Sequence, residues 1–180
     1  MKKTDGYFLA VSSLNYRKNF VVVLQAFDKF CEYSREGNLF IIGDLQCDSF
    51  NGVDISSYKQ NNRIKFLGRV SDEELINYYR NAVCFIFPSL YEGFGIPVIE
   101  AQACGCPVIS ANSSSLYEVL GKSALMCNPM DVDGFANAMK SIYEDDTLRN
   151  TIISKGVENA KRFSWEKSAK KIEELIVNLQ

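Results

Sequence analysis

The chain has 180 residues, 20 of them lysine or arginine and 22 aspartate or glutamate, for a formal charge of -2. That balance argues against a general nucleic-acid binder, and no apolar run approaches the ~20 residues that span a bilayer. Hydrophobic residues make up 47% and charged residues 23%, as in one ordinary soluble domain, which at this size buries about 70% of its unfolded surface.

Residues 7–12 form a short apolar run with no room for a helix, which predicts a first strand. Residues 14–18 make a polar, basic loop. Asn19 is placed as an N-cap, and Phe20, Val23, Phe27 and Phe30 then recur at helical spacing to about residue 34. A turn at Gly37-Asn38 leads into a buried strand over 39–43. Residues 44–62 are polar and without period, with room for a turn of helix near 56–59. A strand is predicted over 64–67. Ser71-Asp-Glu-Glu74 reads as a capping box opening a helix to about residue 81.

Residues 83–87, Val-Cys-Phe-Ile-Phe, are apolar throughout, as in strands buried on both faces of a parallel sheet. A helix is predicted from Pro97 to about residue 103. Strands over 107–110 and 124–127 follow, on either side of a short loop and helix ending near residue 120. Three helices close the chain. The last, over about 164–179, carries Trp165, Ala169, Ile172, Leu175, Ile176 and Leu179 on one face and is expected to pack across.

Six short strands alternating with helices predict an α/β fold, a three-layer, Rossmann-like parallel six-stranded sheet. Ligands in such sheets bind beyond the carboxyl ends of the strands. Here those ends are the loops at 12–18, 43–45, 68–69 and 89–96.

The chain has no histidine. That removes Ser-His-Asp and Cys-His catalysis and histidine metal sites, and any acid–base histidine must come from another chain or domain. The six cysteines, at 31, 47, 84, 104, 106 and 127, read as small buried hydrophobes in a reducing cytoplasm. Cys104 and Cys106 stand too close for the usual zinc spacing. The two lysines at the N-terminus precede no apolar segment, so no signal peptide is expected.

The chemistry concentrates in residues 87–110. Gly93 and Gly95 let the backbone pass close to a ligand, although a glycine pair alone is also an ordinary turn. The helix that follows offers unpaired amides and its positive end, a phosphate-binding arrangement, and Pro97 suits its first turn. Glu92 and Glu100 stand eight positions apart, with Glu100 expected in the helix's first turn. Beside a phosphate, a carboxylate is useful only if it reaches another part of the ligand. Glu100 suits ribose hydroxyls and Glu92 those of a sugar, so the ligand reads as a nucleotide-sugar. Arg17, Lys18 and Arg69 lie on the same rim and supply positive charge.

Residues 92–108, Glu-Gly-Phe-Gly-Ile-Pro-Val-Ile-Glu-Ala-Gln-Ala-Cys-Gly-Cys-Pro-Val, resemble the Glu-x7-Glu signature of retaining family-4 glycosyltransferases of the two-domain GT-B fold. Residues 11–19 are similar to that family's loop after the first strand of its second domain. Residues 64–75, Glu118-Val-Leu-Gly121 and Phe163-Ser-Trp165 fit as well, so the match covers essentially the whole chain.

The resemblance implies the C-terminal, donor-binding half of a GT-B fold. Glu92 would contact donor-sugar hydroxyls. Gly93, Phe94, Gly95 and Ile96 would line the phosphate and sugar, and Glu100 would hold the ribose. Lys18, with Arg17, would neutralise the leaving diphosphate, and Gly68 and Arg69 would lie near the nucleobase. Ser13 belongs to the expected donor site, but it stands where many members carry a phosphate-binding arginine. Leu45 replaces a common second glycine.

The resemblance implies no cofactor and no metal. The donor would be a UDP-sugar or GDP-mannose, and the acceptor a glycan or lipid-linked sugar bound through an N-terminal domain expected to be missing here. It places the enzyme in bacterial O-antigen or capsule assembly in the cytoplasm, with peripheral association of the full enzyme at the inner membrane. The alternative is a nucleotide-sugar-binding module or subunit, inactive without a separate acceptor-binding partner. A glycoside hydrolase leaves the phosphate features unexplained, and no Gly-x-Gly-x-x-Gly follows the first strand as a nicotinamide-binding domain needs.

Overall fold

A computed structural model of the chain describes residues 6–11, 16–43, 49–50 and 53–178. The strands are β1 (Tyr7–Val11), β2 (Asn38–Ile42), β3 (Ser49–Phe50), β4 (Val53–Asp54), β5 (Ile64–Gly68), β6 (Cys84–Phe87), β7 (Val108–Ala111) and β8 (Leu125–Cys127). The helices are α1 (Phe20–Tyr33), α2 (Ser56–Gln60), α3 (Asp72–Asn81), α4 (Ile96–Ala103), α5 (Leu116–Leu120), α6 (Val132–Glu144), α7 (Asp146–Ala160) and α8 (Trp165–Val177).

Six strands form one parallel sheet in the order β5-β2-β1-β6-β7-β8. Phe8, Leu9 and Ala10 of β1 are all buried, as is every residue of β6 and β7. Successive side chains of a strand point to opposite faces, so both faces of the sheet are covered. On one side Phe8 meets Phe30 of α1 edge-to-face at 4.8 Å, and Phe30 meets Tyr143 of α6 at 5.3 Å. The capping box opens α3 as expected: Glu74 N donates to Ser71 Oγ, and Ser71 N donates to a Glu74 carboxylate oxygen.

Strand order reverses between β1 and β6, the position at which doubly wound sheets open a crevice at their carboxyl edge. The loops after these two strands therefore face each other.

The structure departs from the sequence reading in two places that bear on the fold. Residues 49–50 and 53–54 form a short antiparallel pair, β3 with β4, where no strand was expected; two residues per strand are too few for alternation to register. Asn19 takes the N-cap position of α1 as expected, but its side chain does not cap the helix. It sits in the left-handed region at φ 51 and makes no side-chain cap bond, and its amide is used elsewhere, as described below. Among the described residues no helix is long and apolar enough to cross a membrane.

Candidate functional site

Asn19 ties the crevice together. Asparagine tolerates a left-handed backbone better than most residues, and this conformation turns its amide toward neighbouring loops. Nδ2 donates to the carbonyl of Pro88 at 3.1 Å and to that of Pro129 at 2.6 Å. The loops following β1, β6 and β8 are thus joined by one side chain. Next to it, Leu90 N donates to Arg17 O at 2.7 Å.

These backbone bonds bring Lys18 to Glu92. Lys18 ends a single 3-10 turn over Tyr16–Lys18. Its Nζ lies 2.7 Å from Glu92 Oε1 and 5.0 Å from the centre of the Phe87 ring. The two charged groups are mostly buried, at 27% and 16% side-chain exposure, so their attraction is screened less than that of a surface pair. Arg17, beside them, is exposed.

Three consecutive serines fix the Glu92 loop. Ser113 Oγ donates to Ser89 O at 2.6 Å, Glu92 N donates to Ser114 Oγ at 2.9 Å, and Ser115 Oγ donates to Glu92 O at 2.8 Å. Ser114 holds a φ of 46, a conformation unusual for any residue with a Cβ. The sequence reading passed over these serines as loop. A Ser-Ser-Ser run one residue after an apolar strand, at the carboxyl edge, is the signal that could have marked them. Ser89 is itself fully buried, and its hydroxyl has no partner among the described residues.

The turn at 93–95 is shaped for two purposes. Gly95 has φ +91, a left-handed backbone that favours glycine, and a Cβ there would lie 2.6 Å from Leu116 Cδ2, so the end of that side chain would have to shift. A Cβ on Gly93 would meet nothing within 4 Å; the space beside this backbone is open. Phe94, between them, is 40% exposed. Ile96 starts α4 and is exposed, with Pro97 second. The helix thus begins one residue earlier than expected.

Glu100 is the fifth residue of α4, not in its first turn, which carries no acidic residue. It faces the start of α3 instead. Partial burial and the Asp72 carboxylate raise its pKa above the ordinary value. Gly68, with φ +70, ends β5 and accepts at its carbonyl from Gly43 N at 2.8 Å; Arg69 follows it. A register shift at Ile41/Ile42 bends this end of the β2–β5 pair.

The structure therefore joins Lys18 directly to Glu92, with Arg17 alongside. Gly93, Phe94, Gly95 and Ile96 continue from Glu92 into α4. Gly68 and Arg69 lie two strands away from β1 on the same carboxyl edge, with Glu100 turned toward the Asp72 side. Ser13 and Leu45 lie outside the described residues. Exposed Tyr16, Tyr91 and Met130 stand in the same edge loops and were not singled out from sequence. Among the described residues no group of three or more Cys, Asp or Glu could hold a metal ion.

A glycine turn running into a helix and the Lys18–Glu92 ion pair stand at the topological switch point of a doubly wound α/β sheet, where ligands of such folds bind. The chain belongs to the glycosyl transferases group 1 family, whose model matches residues 1–159. It is 35% identical over 164 residues to an O-antigen chain mannosyltransferase B of Escherichia coli, covering 90% of this chain and 43% of that protein. Among solved structures it resembles a sucrose-phosphate synthase from Thermosynechococcus elongatus, with TM-score 0.83, 27% identity and coverage of 99% of this chain and 46% of that one. It also shares the fold of Anabaena HepE in complex with UDP and glucose, with TM-score 0.82, 22% identity and coverage of 97% and 48%. The sheet is the Rossmann-like domain of GT-B glycosyltransferases, and the chain spans less than half the length of each of these three proteins.

Proposed function

We propose that this chain is the donor-binding half of a retaining glycosyltransferase that takes its sugar from a nucleoside diphosphate. The observation that carries the reading is the Lys18–Glu92 ion pair at 2.7 Å, at the switch point and beside the open backbone of Gly93. A diphosphate seated there would take Lys18 as a counter-ion. Glu92 would then be released to accept hydrogen bonds from sugar hydroxyls.

In this reading the amides of Gly93 to Ile96 and the start of α4 receive phosphate oxygens, Glu100 accepts from the ribose hydroxyls, and Gly68 and Arg69 border the base. The bond from the anomeric carbon to the diphosphate breaks through an oxocarbenium-like transition state, and the sugar transfers with retention. Negative charge gathers on the leaving diphosphate. Lys18, Arg17 and the helix amides oppose it, one oriented donor being worth about 3–4 kcal/mol. The likeness to an O-antigen mannosyltransferase supports GDP-mannose as donor and a glycan or lipid-linked acceptor in surface-polysaccharide assembly. The UDP and glucose bound to HepE support a UDP-sugar as the other option. The reaction belongs in the cytoplasm, with the full enzyme at the inner membrane face.

A second reading is a donor-binding subunit that needs a separate acceptor-binding partner. Both readings predict that the chain alone binds a nucleoside diphosphate sugar and turns it over poorly. Calorimetry with UDP, GDP, ADP and their sugars checks this. Lys18→Ala should weaken diphosphate binding about tenfold to a hundredfold, the worth of a charge-assisted hydrogen bond. Absence of binding to every nucleotide would sink the donor site. Efficient transfer by the isolated chain would overturn the need for an acceptor half.

A further inference from the structure

We propose that Phe163, just ahead of α8, is a positioning residue for the Gly93–Gly95 turn, acting through Phe94. This rests on the donor-site reading of that turn. Phe94 lies between two glycines, so neither chain neighbour offers a side chain to steady it. Its ring instead meets Phe163 edge-to-face, at 5.2 Å between centroids and 88° between planes, a favoured aromatic geometry.

Phe163 is in turn braced from behind. The Arg162 guanidinium stands 5.1 Å from the centre of the Phe163 ring, and Nη1 donates to Asn159 Oδ1 at 2.7 Å. Asn159, 8% exposed, donates to Gln102 Oε1 at 2.8 Å and to Val119 O at 3.0 Å. Gln102, 1% exposed, donates to Ser123 Oγ at 2.7 Å and to Ser123 O at 3.1 Å. Both amides therefore find partners for donor and acceptor, and a fully satisfied buried network of this kind holds one arrangement. Close packing supports it: a Cβ on Gly156 would come within 3.1 Å of Gln102 Cγ.

Gln102 lies on α4, two residues after Glu100. The α7–α8 junction thus grips the corner twice, at α4 through the amides and at the turn through the two rings. Residues remote from any phosphate contact set where the amides of the turn point.

The test compares wild type with Phe163→Ala, Phe163→Tyr, Phe94→Ala and the double alanine variant. Calorimetry uses UDP-glucose and GDP-mannose as full-length probes and UMP and GMP as truncated ones. Phe163→Ala should weaken binding of the nucleotide-sugar about threefold to tenfold, the range of an aromatic pair, and change monophosphate binding less than twofold. Phe163→Tyr, which keeps the ring, should restore wild-type affinity. The double variant should be no weaker than the weaker single one, because the two rings act as a unit. Amide hydrogen exchange over residues 91–96 should quicken in Phe163→Ala without any nucleotide present. Unchanged exchange together with unchanged nucleotide-sugar affinity would overturn the positioning role. Were Phe163→Ala to fail to fold, Phe163→Leu, which keeps apolar volume but no aromatic edge, decides by the same two readings. If wild type binds none of the probes the donor site itself falls, and faster exchange would then support only the mechanical link.

Discussion

Glu100 is exposed on α4, yet partial burial and the nearby Asp72 carboxylate hold its pKa above the ordinary carboxylate value. Between the unfolded and the folded pKa the folded chain binds more protons. Stability therefore falls as pH rises through that window, and below it Glu100 is neutral in both states and has no effect. Glu100→Gln should consequently melt above wild type at neutral pH, the gap closing in acid; equal melting at both pH values would show the carboxylate is not under strain. If Glu100 accepts from the ribose as proposed, the same variant should also lose about tenfold in nucleotide affinity, because a charged acceptor is removed. A residue that costs stability where it stands is a candidate for function. Sequence put Glu100 on this helix but in its first turn, and its neighbour was not legible: Asp72 opens another helix, α3, and no local pattern brings the two together.

Among the elements, the turn into α4 contains two glycines that sequence treats alike and structure separates. Gly95→Ala meets Leu116 at 2.6 Å from a left-handed backbone and should cost about 2 kcal/mol or more, lowering the melting temperature by several degrees. Gly93→Ala meets nothing within 4 Å and should melt within about a degree of wild type. If the proposed phosphate passes close to the Gly93 backbone, this stable variant nonetheless loses nucleotide-sugar binding in calorimetry. Full binding by Gly93→Ala would remove that backbone from the site. The helices themselves were legible because periodicity and caps are local: the Ser71–Glu74 box formed as read. Asn19 holds the N-cap position, but its side chain does not cap α1: the amide serves Pro88 and Pro129, partners far away in sequence.

At the scale of the whole molecule, α8 stands apart. All of its residues are exposed, Trp165 at 82%, while Phe163 just before it packs on Phe94. The expected closing helix is present, but it buries nothing against the described chain. Ending the chain after Ser164 should therefore shift the thermal midpoint by no more than a degree or two, because stability follows buried surface and not position in the chain. A large drop in that midpoint would mean that α8 contributes to the core. Donor affinity of the shortened chain should survive, since Phe163 is retained.

By itself the sequence determined the layers and the neighbourhood of the site. Apolar runs such as Val83-Cys-Phe-Ile-Phe87 have one physical solution, a strand buried on both faces, and a glycine pair before Pro97 marks where a helix can begin beside a ligand. Only the tertiary structure decided which groups share that neighbourhood. The strand order that sets β1 beside β6 places Lys18 against Glu92, three serines behind the loop and Phe163 beneath Phe94. Each of these contacts joins residues more than twenty positions apart. Local periodicity carries no information about them, and the packing of the sheet does.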